Sequence, residues 1–151
     1  MAYQQNIRVY AASKMRHAEK MMKLRQDYPD IHFTARWPIN AGLGSEANRP
    51  VYQWMSESEI DLLNSDCMLV YAEPGEVLKT ALVQVGIAYA KRIPIFVVGE
   101  HESYAEWQFN SNLVVRCPNM KRAMESIRVR FRGPTKKIGR DVLEQTRKTE
   151  Q

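Results

Sequence analysis

Residues Ser65 to Gly99 read SDCMLVYAEPGEVLKTALVQVGIAYAKRIPIFVVG, and this stretch decides the fold. Cys67 to Ala72 is apolar along its whole length, as expected of a strand buried on both faces. Glu73-Pro74-Gly75 supplies turn chemistry. Val77 to Lys91, rich in Ala and small residues, has the length of a helix. Ile93 to Val98 is a second fully apolar strand, followed by Gly99. Strands of this kind belong to a mainly parallel sheet with helices on both sides.

The flanking sequence repeats the alternation. Ile7 to Ala12 predicts a buried strand, with Ser13 placed to cap a helix whose Met15, Ala18 and Met22 recur at helical spacing to about Tyr28. Pro29-Asp30 breaks that helix. Ile31 to Trp37 alternates as a second strand, ended by Pro38, and Asn40 to Arg49 reads as a loop. Pro50 suits the first turn of a helix with a Val51, Trp54, Met55, Leu62 stripe, closed by Asn64-Ser65. Leu113 to Val115 is a short fifth strand. A last helix runs from Pro118 through Ala123, Met124 and Ile127 to about Phe131, and Gly133-Pro134 stops it. The expected order is β-α-β-α-β-α-β-α-β-α in an α/β domain over residues 1–133. Residues 134–151 form a basic tail or short helix. Ligands in such sheets bind beyond the carboxyl ends of the strands. That selects Ala11 to Arg16, Trp37 to Gly44 and Ala72 to Gln84.

Composition bounds the remaining possibilities. The chain has 151 residues, 44% hydrophobic and 26% charged, which suits one globular domain and excludes wholesale disorder. No apolar run approaches the roughly 18 residues of a membrane helix, so no membrane partner is expected. The opening Met1-Ala2-Tyr3-Gln4-Gln5-Asn6 lacks the features of a secretory signal. Cys67 and Cys117 fit reduced residues of a cytoplasmic protein. The net charge of +5 is uneven: Lys121 to Gln151 holds ten Lys/Arg against four Asp/Glu, and the body is close to neutral. A basic stretch can follow nucleic-acid phosphates, although a solvated helix and tail is the plainer reading.

Generic motifs add little. Gly42-Leu43-Gly44-Ser45-Glu46-Ala47 matches a loose dinucleotide pattern, but it follows the second strand and Pro50 interrupts the helix. There is no P-loop lysine motif and no G-x-S-x-G elbow. His17, His32 and His101 lack metal-ligand spacing. No metal and no cofactor are expected. Tyr10 and Ser13 end the first strand, and Lys14 and Arg16 add charge suited to a phosphate or sugar hydroxyl. Trp37 can stack on a base and Asn40 can read its edge; a core-edge Trp and a turn Asn are the structural alternatives. Tyr71, Glu73 and Gly75 complete the third-strand mouth. Ser58 lies seven residues after Val51, within the apolar stripe, so its hydroxyl needs its own helix carbonyl, another partner or a ligand.

Taken in order, Val9-Tyr10-Ala11-Ala12-Ser13, Ser65-Asp66, Pro74-Gly75, Gln84-Val85-Gly86-Ile87-Ala88-Tyr89-Ala90 and Pro94-Ile95-Phe96-Val97-Val98 resemble the nucleoside 2-deoxyribosyltransferase family. Its relatives include hydrolases of 2′-deoxynucleoside monophosphates. The resemblance covers roughly residues 7–99. It implies a flavodoxin-like domain that breaks an N-glycosidic bond through a carboxylate nucleophile and a glycosyl-enzyme ester. The family pattern is Gly-Thr, two residues, Glu, one residue, Gly. Here Thr80 and Ala81 stand in the Gly-Thr positions, Gln84 in the glutamate position, and Gly86 matches. A family aspartate on the preceding helix falls near Ser58, with Glu57 and Glu59 beside it.

An amide is a poor nucleophile and carries no charge to stabilise an oxocarbenium-like transition state, so turnover through residue 84 should be impaired. Gln84 fits either a natural departure or a single Glu-to-Gln change, and Thr80 as a second departure favours the first. Glu73 or Glu76 could retain catalysis from the adjacent loop. Three functions compete: a deoxyribosyltransferase or nucleotide N-glycosidase, a non-catalytic protein that sequesters a nucleotide-derived ligand, and a nucleic-acid-binding protein led by the basic C-terminus. The expected partner is a small nucleoside or nucleotide. The resemblance implies a homo-oligomer. Nucleic acid ranks last, because Phe131 is the only aromatic after Lys121.

Overall fold

The computed structural model describes residues 6–41, 51–99 and 102–133. The apolar runs become five strands: β1 (Ile7–Ala12), β2 (Ile31–Phe33), β3 (Cys67–Tyr71), β4 (Ile95–Val98) and β5 (Val114–Cys117). All pair in parallel, in the order β2-β1-β3-β4-β5. Around them lie α1 (Ala18–Asp27), α2 (Trp37–Ala41), α3 (Val51–Leu63), α4 (Thr80–Lys91) and α5 (Met120–Arg132). Strand order and layering are those of a flavodoxin-like, three-layer α/β domain.

The period of two along each strand divides the core. Tyr10, Ala12, Met68, Val70, Ile95 and Val97 face α3 and α4 and pack with Leu62, Ala81, Val85 and Ala88. Their alternates Val9, Ala11, Cys67, Leu69, Phe96 and Val98 face α1 and α5 and pack with Met21, Leu24, Ala123, Met124 and Ile127. This is why β3 is apolar throughout: Cys67, Met68, Leu69 and Val70 are each 0% exposed. Burial pushes the Cys67 thiol far above its ordinary range, so it packs as a small apolar group.

Several elements differ from the sequence reading, each for a local reason. β2 stops at Phe33, not Trp37. The Thr34 N–H still reaches Val9 O at 2.9 Å, but the Arg36 N–H turns to Asp61 Oδ2 at 3.0 Å and Trp37 begins α2. Pro38 sits in that first turn, where its missing N–H costs nothing. Ser13 does not cap a helix; its hydroxyl donates to Tyr71 O at 2.7 Å, and a 3-10 turn at Met15–His17 precedes α1. Among the described residues no α-helix links β4 to β5; 3-10 turns within Glu102–Phe109, broken by a kink at Ala105, take that place. Within this segment the Tyr104 hydroxyl accepts the Ala72 N–H at 3.0 Å and donates to Val98 O at 2.8 Å, joining the ends of β3 and β4.

Chain reversals and helix ends also have identifiable causes. After α4, Arg92 takes a left-handed conformation (φ 58°), and the amides of Arg92 and Ile93 return to Tyr89 O and Ala88 O. This is a Schellman ending with arginine where glycine is usual. Asn119 caps α5 by accepting the Arg122 N–H at 2.9 Å. Asp30, before β2, accepts from Arg128 at 2.5 and 3.0 Å and from Arg132 at 2.9 Å. Burial would raise the Asp30 carboxyl, but the two guanidiniums more than offset this and hold it below its ordinary range. No helix among the described residues is long and apolar enough to cross a membrane. The Gly42 to Ala47 pattern, Pro50, His101 and the basic stretch beyond Gly133 lie outside the described residues.

Candidate functional site

β1 connects to β2 on one side of the sheet, whereas β3 connects to β4 on the other, so strand order reverses between β1 and β3. A cavity of about 560 Å³ opens at their carboxyl ends. β1 supplies Tyr10 and Ala12, followed by Ser13; α2 supplies Trp37 and Asn40; α3 supplies Trp54 and Ser58; α4 supplies Thr80, Ala81 and Gln84. The volume falls in the usual small-ligand range of about 300–1,000 Å³.

Gln84 is the most constrained polar group of this wall. Its place on the Ala81, Gln84, Val85, Ala88 stripe turns it inward, and it is 2% exposed. Its amide nitrogen has no hydrogen-bond partner among the described residues. Tyr10 is buried beside it in the lining, which Ser58 shares. Burial pushes the Tyr10 phenol up to about 12; nearby Asp61 adds to this and the Ser58 hydroxyl opposes it, so the phenol stays neutral. Trp37 is fixed by its indole N–H, which donates to Ala11 O at 2.8 Å. Asn40 reaches Glu57 Oε2 at 3.4 Å. Toward the solvent, Lys14 Nζ donates to Val77 O at 2.8 Å, and Lys79 and Thr80 are exposed. No Asp or Glu occurs among the described lining residues. The described part of the wall therefore offers neutral hydrogen-bonding groups, two indoles and two lysines, and no carboxylate to attack an anomeric carbon.

Five expected site residues lie outside this lining: Arg16, Tyr71, Glu73, Gly75 and Gly86. Gly86 sits on the exposed side of α4, where an added Cβ would meet nothing within 4 Å. The other four belong to an ion cluster at the same strand ends, on the α1 side. Glu73-Pro74-Gly75-Glu76 is a β-turn closed by the Glu76 N–H to Glu73 O at 3.0 Å, with Gly75 at φ 83°. It drives Glu76 inward. Glu76 Oε1 accepts the Glu73 N–H at 2.7 Å, while Oε2 meets His17 Nε2 at 2.8 Å and Arg16 Nε at 2.5 Å. The Tyr71 hydroxyl donates to Glu73 Oε2 at 2.6 Å, and Lys20 Nζ lies 3.2 Å from the Tyr71 oxygen. Burial would raise the Glu76 carboxyl, but the Glu73 amide, His17 and Arg16 together hold it below its ordinary range. Glu73 is lowered chiefly by the Tyr71 hydrogen bond.

Sequence reasoning missed His17 and did not foresee this pairing, because His17 and Glu76 are 59 residues apart and neither lies in a recognisable motif. The ligand atoms of His17, Glu73 and Glu76 fall within 4.8 Å of one another, close enough to hold a cation. Arg16 and Lys20 already lie against the two carboxylates, and every Glu76 oxygen has a protein partner. The cluster is thus a satisfied structural unit, unlike the cavity. Comparison with protein-family models, curated proteins and solved structures finds no match to this chain.

Proposed function

We propose that the protein binds a nucleoside or nucleotide in the cavity at the β1–β3 switch and turns it over slowly or not at all. One observation carries the reading: the buried Gln84 amide, unpartnered among the described residues, faces a nucleotide-sized cavity whose described wall contains no carboxylate. Trp37 and Trp54 offer flat apolar surface for a base or sugar face, and the two lysines suit a phosphate. The likeness to nucleoside 2-deoxyribosyltransferases supports the ligand class, and Gln84 in its nucleophile position supports binding over transfer or hydrolysis. A homo-oligomer is proposed on that likeness alone; sedimentation measures it. The nucleic-acid reading loses support from α5, where Arg128 and Arg132 are engaged by Asp30.

Calorimetry and chromatographic assay of base release test this on a panel of deoxynucleosides, ribonucleosides and their monophosphates. The protein should bind at least one and release free base very slowly. Gln84→Glu should raise release by several powers of ten if the rest of the pocket supports chemistry, because a carboxylate both attacks and stabilises the transition state. Rapid release by the unaltered protein would overturn the reading of slow turnover, because the described wall holds no carboxylate to do the chemistry. Absence of binding by every nucleotide would overturn the proposal.

A further inference from the structure

A nucleoside has a van der Waals volume of roughly 200 Å³, and at the packing density of a protein interior, about 0.75, it needs roughly 270 Å³ of space. The cavity measures about 560 Å³. One nucleoside therefore leaves about half of it unfilled and forfeits the dispersion contacts of the far wall. Two nucleosides fill it. The lining groups are doubled in the same way. Trp37 comes from α2 and Trp54 from α3, so two indoles line the space from separate elements. The Trp37 ring is fixed by its bond to Ala11 O. Any base can stack on an indole, because every base has a π-face whatever its hydrogen-bonding edge. Lys14 follows β1 and Lys79 precedes α4, so two cations come from two different loops. No described lining carboxylate opposes them. A mononucleotide has one base and one phosphoryl group at its sugar, and it leaves one indole and one lysine without a counterpart.

Resting on the nucleotide-binding reading above, we infer that the cavity takes a dinucleotide: two nucleosides joined through two phosphates, one base against each of Trp37 and Trp54, and the phosphates toward Lys14 and Lys79. The Gln84 amide then donates to an acceptor on whichever nucleoside lies deeper. Joining the two nucleosides makes the second stacking contact intramolecular, so two modest contacts add up to one tight ligand.

The experiment is titration calorimetry of the full chain with diadenosine diphosphate, adenosine diphosphate and adenosine monophosphate, repeated on Trp37→Leu and Trp54→Leu. Adenosine diphosphate carries the same two phosphates, more negative charge and one base fewer, so it separates the second base from the second phosphate. Diadenosine diphosphate should bind one per chain, at least about tenfold more tightly than adenosine diphosphate, as expected for one added base–indole stack. One of the two indole substitutions should remove that advantage and leave adenosine diphosphate within about twofold. If Trp37→Leu does not fold, Trp54→Leu and the unaltered protein still decide the matter through the ratio of the two affinities. Three results would overturn the inference: diadenosine diphosphate no tighter than adenosine diphosphate, neither indole substitution changing their ratio, or one ligand bound per two chains, which would put the second base in another copy. If the mononucleotides bind as tightly as the dinucleotide, nucleotide binding survives and the two-base assignment fails. If none of the three binds, both fail.

Discussion

The two sides of the β1–β3 strand ends hold polar groups in opposite states. On the α1 side, Glu76 is buried with partners on both oxygens, and Glu73, Tyr71, Lys20 and Arg16 extend the network to the surface. On the α3–α4 side, Gln84 is more buried still and its amide nitrogen has no partner among the described residues. The charged side has the residue types usually associated with catalysis, and its bonding is complete. The neutral side is where a ligand has something to supply. Buried polar groups point to function through what they lack more than through their charge.

The sharpest test of this contrast is Glu76→Ala. It strands the buried His17 and the Glu73 amide, and should cost about 2–4 kcal/mol in urea unfolding while leaving nucleotide affinity within about twofold. The acid limb of stability should change with it. Glu76 is depressed in the folded state, so its contribution is present above the ordinary glutamate range and lost as pH falls through the lowered value. Unfolding curves of the variant should therefore flatten at acid pH, with a residual slope from the depressed Asp30 and Glu73. A variant that kept its stability but lost ligand affinity would reverse the roles assigned to the two sides.

A smaller effect is expected from Gly75→Ala, which adds a Cβ at φ 83° with open space around it, so backbone strain is the whole penalty. The loss should be about 1 kcal/mol, again without a change in affinity. Smallest is Arg92→Gly, at the far end of the helix that carries Gln84. Relief of the left-handed arginine should add about 0.5–1 kcal/mol to stability. Affinity should be unaltered; a shift in affinity would mean that the α4 terminus communicates with the cavity.

What the sequence showed depended on how far its signals reach. β1, β3 and β4 were legible because burial on both faces requires continuous apolar runs. Tyr10, Ser13 and Trp37 follow from the strand-end rule, Ser58 from its place in the apolar stripe, and Gln84 from the likeness to the family motif; all five line one space. The errors arose where a distant partner decides. Ser13 has the character of a cap until Tyr71 O is brought within 2.7 Å. The alternation of Ile31 to Trp37 runs past the point where Asp61, from α3, captures the Arg36 amide. Glu73 was drawn into the expected site by proximity in sequence, although its turn places it with Tyr71 and Arg16. Tyr104 carried no local signal, since its role is to join two strand ends.

The Asp30 clamp sets an order of events during synthesis. Its arginine partners lie 98 and 102 residues further along the chain. At translation rates of about 5–20 residues per second, the carboxylate waits roughly 5–20 s before either guanidinium emerges. Over that interval the edge strand β2 can dock on β1 but cannot be locked there, and an unlocked edge is where neighbouring nascent chains pair wrongly. Slowing the ribosome between Asp30 and Arg128 should therefore lower soluble yield, and Asp30→Asn should remove much of the final protection without changing the sheet.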